Sequence, residues 1–88
     1  MSWDCRFTES AKRELSTLDR QAQKDILLYL ETRIAPGEDP RRFGKPLKAN
    51  LNGLWRYRVR DYRLLCQIKD EVLLVLVVSV GHRKDVYQ

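Results

Sequence analysis

The sequence predicts an α+β fold: an N-terminal strand and two helices packed on one face of an antiparallel β-sheet meander. Three observations carry this reading. Apolar residues recur at helical spacing between Thr8 and Ile34. Segments 54–60, 62–69 and 72–81 are rich in Val, Leu, Tyr and Ile and are separated by the charged pairs Arg60-Asp61 and Asp70-Glu71. Between helices and meander, residues 38–53 carry Pro40, Gly44, Pro46 and Asn52-Gly53 and read as loop with one short turn or strand inside. At 88 residues the chain is one domain, 1–88, with room for one modest core.

The elements follow in order. Residues 3–7 alternate apolar and polar side chains, the period of a short strand. Thr8 is placed to cap a helix, with Glu9 in its first turn and Ala11, Leu15 and Leu18 along one stripe. Asp19 is a second N-cap, and Ala22, Ile26, Leu27, Leu30 and Ile34 form the inner face of a longer helix that Pro36-Gly37 ends. The last strand is apolar at nearly every position, as expected of a central strand covered on both faces.

Composition excludes several classes. Hydrophobic residues at 43% and charged residues at 33% suit a folded domain rather than a disordered one. The longest apolar run, 72–78, falls far short of the ~18 residues of a membrane span. The first residues lack the basic-then-apolar order of a signal peptide, so the expectation is a cytoplasmic protein. Two cysteines make no disulfide framework, and one histidine without a CxxC makes no zinc site. In the cytoplasm Cys5 and Cys66 are expected reduced and mostly buried.

Charge is distributed unevenly. The net charge is +5, but residues 1–40 sum to −2 and residues 41–88 to +7. An excess confined to one half suggests a polyanionic partner. Strand alternation says where it lies. Trp55, Tyr57 and Val59 share one face, and Leu54, Arg56, Arg58 and Arg60 the other. In the next segment Tyr62, Leu64, Cys66 and Ile68 oppose Arg63, Leu65, Gln67 and Lys69. A hairpin symmetric about Arg60-Asp61 pairs Val59 with Tyr62 and Tyr57 with Leu64, which sets Arg58 directly across from Arg63 with Arg56 diagonal to it. Like charges so placed destabilise a sheet by roughly 0.2–1 kcal/mol per pair. The arginine fork matches phosphate oxygens, so the functional inference is a phosphate-binding face opposite the helices. Gly81 permits a bend that brings His82, Arg83 and Tyr87 toward that face, where Tyr87 offers a stacking surface.

The segments Trp55-Arg56-Tyr57-Arg58-Val59-Arg60-Asp61-Tyr62-Arg63-Leu64 and Val78-Ser79-Val80-Gly81-His82-Arg83-Lys84-Asp85-Val86-Tyr87 together resemble the RelE/ParE superfamily of type II toxin–antitoxin toxins. The resemblance implies a RelE-like microbial RNase-type fold and neutralisation by a cognate antitoxin with an acidic, partly disordered segment. For the RelE branch it implies ribosome-dependent cleavage of messenger RNA by its own 2′-hydroxyl, without metal or cofactor. It puts the family's two strand lysines on Arg56 and Arg58, its catalytic strand arginine on Arg63, its post-glycine arginine on Arg83 and its terminal tyrosine on Tyr87. Lys45 and Lys48 sit where relatives carry basic residues for RNA contact, and operator DNA is reached through the antitoxin complex. The ParE branch, which inhibits DNA gyrase without cutting RNA, has a similar arginine-rich strand and Gly-His-Arg tail. A non-catalytic RNA-binding module is a third reading.

The chemistry of the nuclease reading assigns roles. Arg63 and Arg83 neutralise the pentacoordinate phosphorus, while Arg56, Arg58 and Arg60 clamp neighbouring phosphates. Guanidinium groups do not accept protons at neutral pH, so Arg56 and Arg58 cannot replace a lysine base. His82 is the side chain whose ordinary pKa suits that task. If residues 81 and 82 stay extended, however, His82 and Arg83 alternate across the strand and His82 points away from the site.

Overall fold

A computed structural model describes residues 2–47 and 53–82. The two predicted caps form. Thr8 Oγ1 accepts from the Ala11 N–H at 3.1 Å and starts α1 (Glu9–Ser16). Asp19 Oδ1 accepts from the Ala22 N–H at 2.7 Å and starts α2 (Arg20–Tyr29). Each cap satisfies a backbone donor that the first helical turn leaves over. α2 runs on into a π turn, Leu30–Ile34, closed by the Ala35 N–H on the Leu30 carbonyl at 2.8 Å. Ala22, Ile26, Leu30 and Ile34 are buried at i+4 spacing. Leu27, expected on that inner face, is 48% exposed, because it lies about 100° round the helix from Ile26.

Among the described residues the sheet has five strands in the order β1-β5-β4-β3-β2. They are β1 (Asp4–Phe7), β2 (Lys45–Pro46), β3 (Leu54–Val59), β4 (Tyr62–Lys69) and β5 (Leu74–His82). Neighbours are antiparallel except β1, which runs parallel to β5. The sheet is therefore mixed, because the chain returns to β1 only after the helices and the meander, a long crossover of the kind a parallel pair requires. The last strand begins two residues later than expected. Asp70–Val72 forms a 3₁₀ turn, and Leu73 takes a left-handed conformation (φ 50°) that reverses the chain.

The helices cover one face only. Their buried residues meet Tyr57, Val59, Leu64, Cys66, Val75, Val77 and Val80 in a single core. On the other face of β5, Leu74, Leu76 and Val78 are half-buried, short of the two-sided cover expected. A bulge explains why the core takes Val75, Val77 and then Val80. Cys66 pairs with Val77 and Leu65 with Ser79, so Val78 is extra and the alternation shifts by one. Beyond Phe7, where β1 ends, the Val80 N–H is taken by Glu14 Oε1 of α1 at 2.8 Å. Burial pushes the Cys66 thiol up, and burial with the Asp4 charge pushes Cys5 up to about 11. Both are neutral at physiological pH, which suits structural cysteines rather than nucleophiles. No helix among the described residues is long and apolar enough to cross a membrane.

Tyr57 fixes the middle of the sheet. It is fully buried, and its hydroxyl donates to the Pro40 carbonyl at 2.6 Å. Pro40 opens the 3₁₀ turn Pro40–Phe43, which leads through Gly44 into β2. A Cβ on Gly44 would stand 3.0 Å from the Tyr57 ring and 3.2 Å from the Arg56 carbonyl, so the close approach needs glycine. Arg41 locks the same turn from outside. It donates to both oxygens of Asp70, at 3.1 and 2.6 Å, and to Asp39 at 3.2 Å, and it lies over Trp55, 5.8 Å from the ring centroid.

Two expectations follow. Tyr57→Phe leaves the buried Pro40 carbonyl without its donor and should lower unfolding free energy by about 1–3 kcal/mol in urea titrations. Gly44→Ala should cost about as much, through overpacking. Wild-type midpoints in both variants would show that the turn is not anchored here. The hydrogen bonds from Arg41 hold the Asp70 carboxyl below the usual aspartate range. A depressed carboxylate stabilises the fold above its unfolded-state pKa, and the contribution is lost as pH falls through the folded value. Acid titration of Asp70→Asn should therefore show a shallower loss of stability below the usual aspartate range. Curves parallel to the wild type would remove the clamp from acid stability.

Candidate nucleic-acid interface

The register of the meander decides which cations meet. β3 and β4 pair as Val59–Tyr62, Tyr57–Leu64 and Arg58–Arg63, the arrangement read from the alternation. Arg56 opposes Leu65 on β4 and, on its other side, Lys45 of β2. Directly paired residues project to the same face, so Lys45, Arg56, Arg58 and Arg63 share the face away from the helices. Arg58 is exposed, while Arg56 and Arg63 are half-buried. Leu65, in their midst, is only 5% exposed. Its cross-strand neighbour Arg56 has an aliphatic stem long enough to cover it.

Arg60 does not belong to this face. It is the first residue of the two-residue turn between β3 and β4, in a left-handed conformation (φ 55°), and its Nε donates to Asp25 Oδ2 of α2 at 2.9 Å. The alternation that grouped it with Arg56 and Arg58 stops at Val59, the last residue of the strand. Ion pairs among the described residues engage Lys12, Arg41 and Arg60; Arg58 has none among them.

β5 continues straight through Gly81 to His82, so the bend expected at Gly81 is not made within it. Gly81 pairs with Arg63 and contributes no side chain beside it. His82 pairs with Tyr62, and the two rings meet edge-on, with centroids 5.9 Å apart at 80°. Tyr62 shares the Val59 face, so His82 lies on the helix side of the sheet and Arg63 on the other. The extended alternative is the one the chain adopts, and it does not place His82 as a base beside Arg63. Lys48, Arg83 and Tyr87 fall outside the described residues.

Two clefts meet at Arg58. One, of about 180 Å³, is lined by Phe43, Lys45, Arg56 and Arg58. The other, of about 370 Å³, runs round the end of β3 to α2 and is lined by Arg58 with Asp25, Tyr29, Arg33 and Arg60 among others. Phe43 and Arg33 were not singled out from the sequence. A Phe two residues before Lys45, in a Pro- and Gly-rich loop, was the available signal for the first. Nothing local marked Arg33, which reaches the site through the packing of α2. Chemically, four cations on one rigid face can hold successive phosphates and neutralise charge developing on one of them.

Known proteins resemble this chain in sequence and in fold. The sequence pattern of the family described as "ParE toxin of type II toxin-antitoxin system, parDE" matches residues 5–87. Toxin RelG of Mycobacterium tuberculosis (strain ATCC 25618 / H37Rv) is 34% identical over 88 residues, covering 100% of this chain and 99% of the relative. The toxin–antitoxin complex RelBE2 from the same species contains a chain that superimposes with a TM-score of 0.86 at 33% identity, over 97% of this chain and 95% of that one. The isolated RelE toxin of E. coli gives a TM-score of 0.62 at 26% identity, over 92% and 84%. The chain belongs to the RelE/ParE superfamily of type II toxin–antitoxin toxins.

Proposed function

We propose that this toxin is a ribosome-dependent endoribonuclease that cuts messenger RNA by internal attack. The observation that supports it is Arg58 set directly opposite Arg63, with Arg56 and Lys45 on the same face. In this reading the RNA 2′-oxygen bonds to the adjacent phosphorus and the bond to the 5′-oxygen breaks. A 2′,3′-cyclic phosphate and a 5′-hydroxyl result, one proton leaving the 2′-oxygen and one reaching the 5′-oxygen. Arg63 neutralises the non-bridging oxygens, and Arg56, Arg58 and Lys45 hold the flanking phosphates. Arg83 and Tyr87 join Arg63 on the family resemblance alone, as does Lys48 among the RNA contacts. The proton acceptor is neither a guanidinium nor, given its side of the sheet, His82. A cognate antitoxin with an acidic segment would neutralise the toxin by covering the same cations; the RelBE2 chain above was solved in a toxin–antitoxin complex. Operator DNA would be reached through that complex, and the protein would act in the cytoplasm.

The match to the ParE family pattern favours one competing reading, inhibition of DNA gyrase by contact alone. Primer extension on ribosome-bound messages after brief expression separates the two. Codon-phased cuts are expected; intact messages with failing supercoiling would select the gyrase reading. Arg63→Ala should lower cleavage by ~10²–10³-fold, the loss typical of one preorganised donor to a developing anion. Arg60→Gly should cleave like the wild type, since Arg60 is turned to α2. Full cleavage by Arg63→Ala would overturn the assignment.

Arg58→Thr tests whether the cations are kept against stability. It should weaken cleavage yet raise unfolding free energy by about 0.2–1 kcal/mol, by removing the like-charge pair with Arg63. A less stable variant would mean that the pair is not repulsive in the free protein.

A further inference from the structure

We propose that Phe43 is a stacking platform for one unpaired base of a single-stranded RNA whose phosphates run over Lys45, Arg56 and Arg58. The proposal rests on the RNA-binding part of the reading above and adds the group that holds a base. Phe43 is 39% exposed, and it is the only large aromatic so exposed among the described residues. Phe43 lines the 180 Å³ cleft together with Lys45, Arg56 and Arg58, and none of these lining residues is acidic. That volume is well below the ~300–1,000 Å³ of a drug-sized pocket, so the cleft suits a single planar group rather than a whole folded ligand. The Arg42 guanidinium lies over the ring, 5.6 Å from its centroid, adding a planar cation beside it.

The platform is rigidly mounted. Phe43 closes the 3₁₀ turn whose first residue accepts the Tyr57 hydroxyl bond and whose second is clamped to Asp70. Gly44 follows it, pressed against Tyr57, and Lys45 then pairs with Arg56. The backbone that carries the ring is thus fixed beside the cationic strand, as a preorganised contact requires. An aromatic face beside a cationic track is how proteins hold single strands: cations follow the backbone and rings take the bases. A duplex keeps its bases stacked and paired and presents none to such a ring.

The test measures fluorescence anisotropy of a short single-stranded RNA, 2′-O-methylated so that it cannot be cut, and of a duplex of the same length, over a salt series. Phe43→Ala should weaken single-strand binding by about tenfold or more, the loss of one stacked base. It should leave duplex binding and the slope of log K against log salt unchanged, since stacking releases no counterions. Phe43→Trp should restore affinity, which also shows that the fold tolerates the site. Lys45→Ala should instead flatten the slope by ~0.7, one phosphate contact of a single strand. Wild-type affinity in Phe43→Ala overturns the proposal, as does equal weakening for both RNAs, or no single-strand binding by the wild type. A loss of affinity only for the antitoxin would assign the ring to a protein interface and overturn it too. Ribosome-programmed cleavage, run in parallel, reports separately on the nuclease reading: stacking without cutting sinks that reading alone, and cutting without stacking sinks this one alone.

Discussion

Everything on the cationic face depends on where Tyr57 is buried. Side chains alternate across a strand with a period of two, so a residue held in the core determines the side of its neighbours. With Tyr57 under the helices and hydrogen-bonded to Pro40, Arg56 and Arg58 can only project outward. The two-residue turn at Arg60-Asp61 then brings β4 back with Leu64 beside Tyr57 and Arg63 beside Arg58. A slip of one residue would place three arginines in an apolar core, where an unpaired charge costs several kcal/mol, on the order of the whole stability of a small domain. The register that protects the core is thus the register that crowds the cations.

Other cations of the chain serve the scaffold. Arg41 ties the turn before β2 to the turn between β4 and β5, and Arg60 ties the β3–β4 turn to α2. Each pair joins an exposed partner, Asp70 or Arg60, to a less exposed one, Arg41 or Asp25. Each joins a turn to a neighbouring element, and each of these turns borders a cleft lined by Arg56 or Arg58. Charge in the second half of the sequence therefore has two uses, and net charge alone does not separate them.

The likeness to RelG and to the RelBE2 chain extends over nearly the full length, whereas the proposed activity would depend on a few groups on one face. A fold can be shared while such groups differ, and here guanidinium groups stand where the family resemblance puts lysines. The assignment to the family consequently rests on the length of the chain, and the reading of its chemistry on these few residues within it.

Local rules were enough for much of this protein. The caps at Thr8 and Asp19, the i+4 stripe of α2 and the facing of Arg58 and Arg63 follow from periodicity and from one symmetric hairpin, all visible along the chain. Other features arise only where distant segments meet. The parallel place of β1 depends on a crossover, and the bulge at Val78 on how β5 fits two partners at once. His82 lies beside Tyr62 because β5 does not bend at Gly81, and Arg60 leaves the arginine face because Asp25 stands across from the turn. Lys45 and Phe43 join the site through a two-residue strand too short to show a period. A pattern of two or 3.6 residues is written by neighbours in sequence; which edge, cleft or carboxylate a side chain finally meets is set by packing between elements that the chain brings together only on folding.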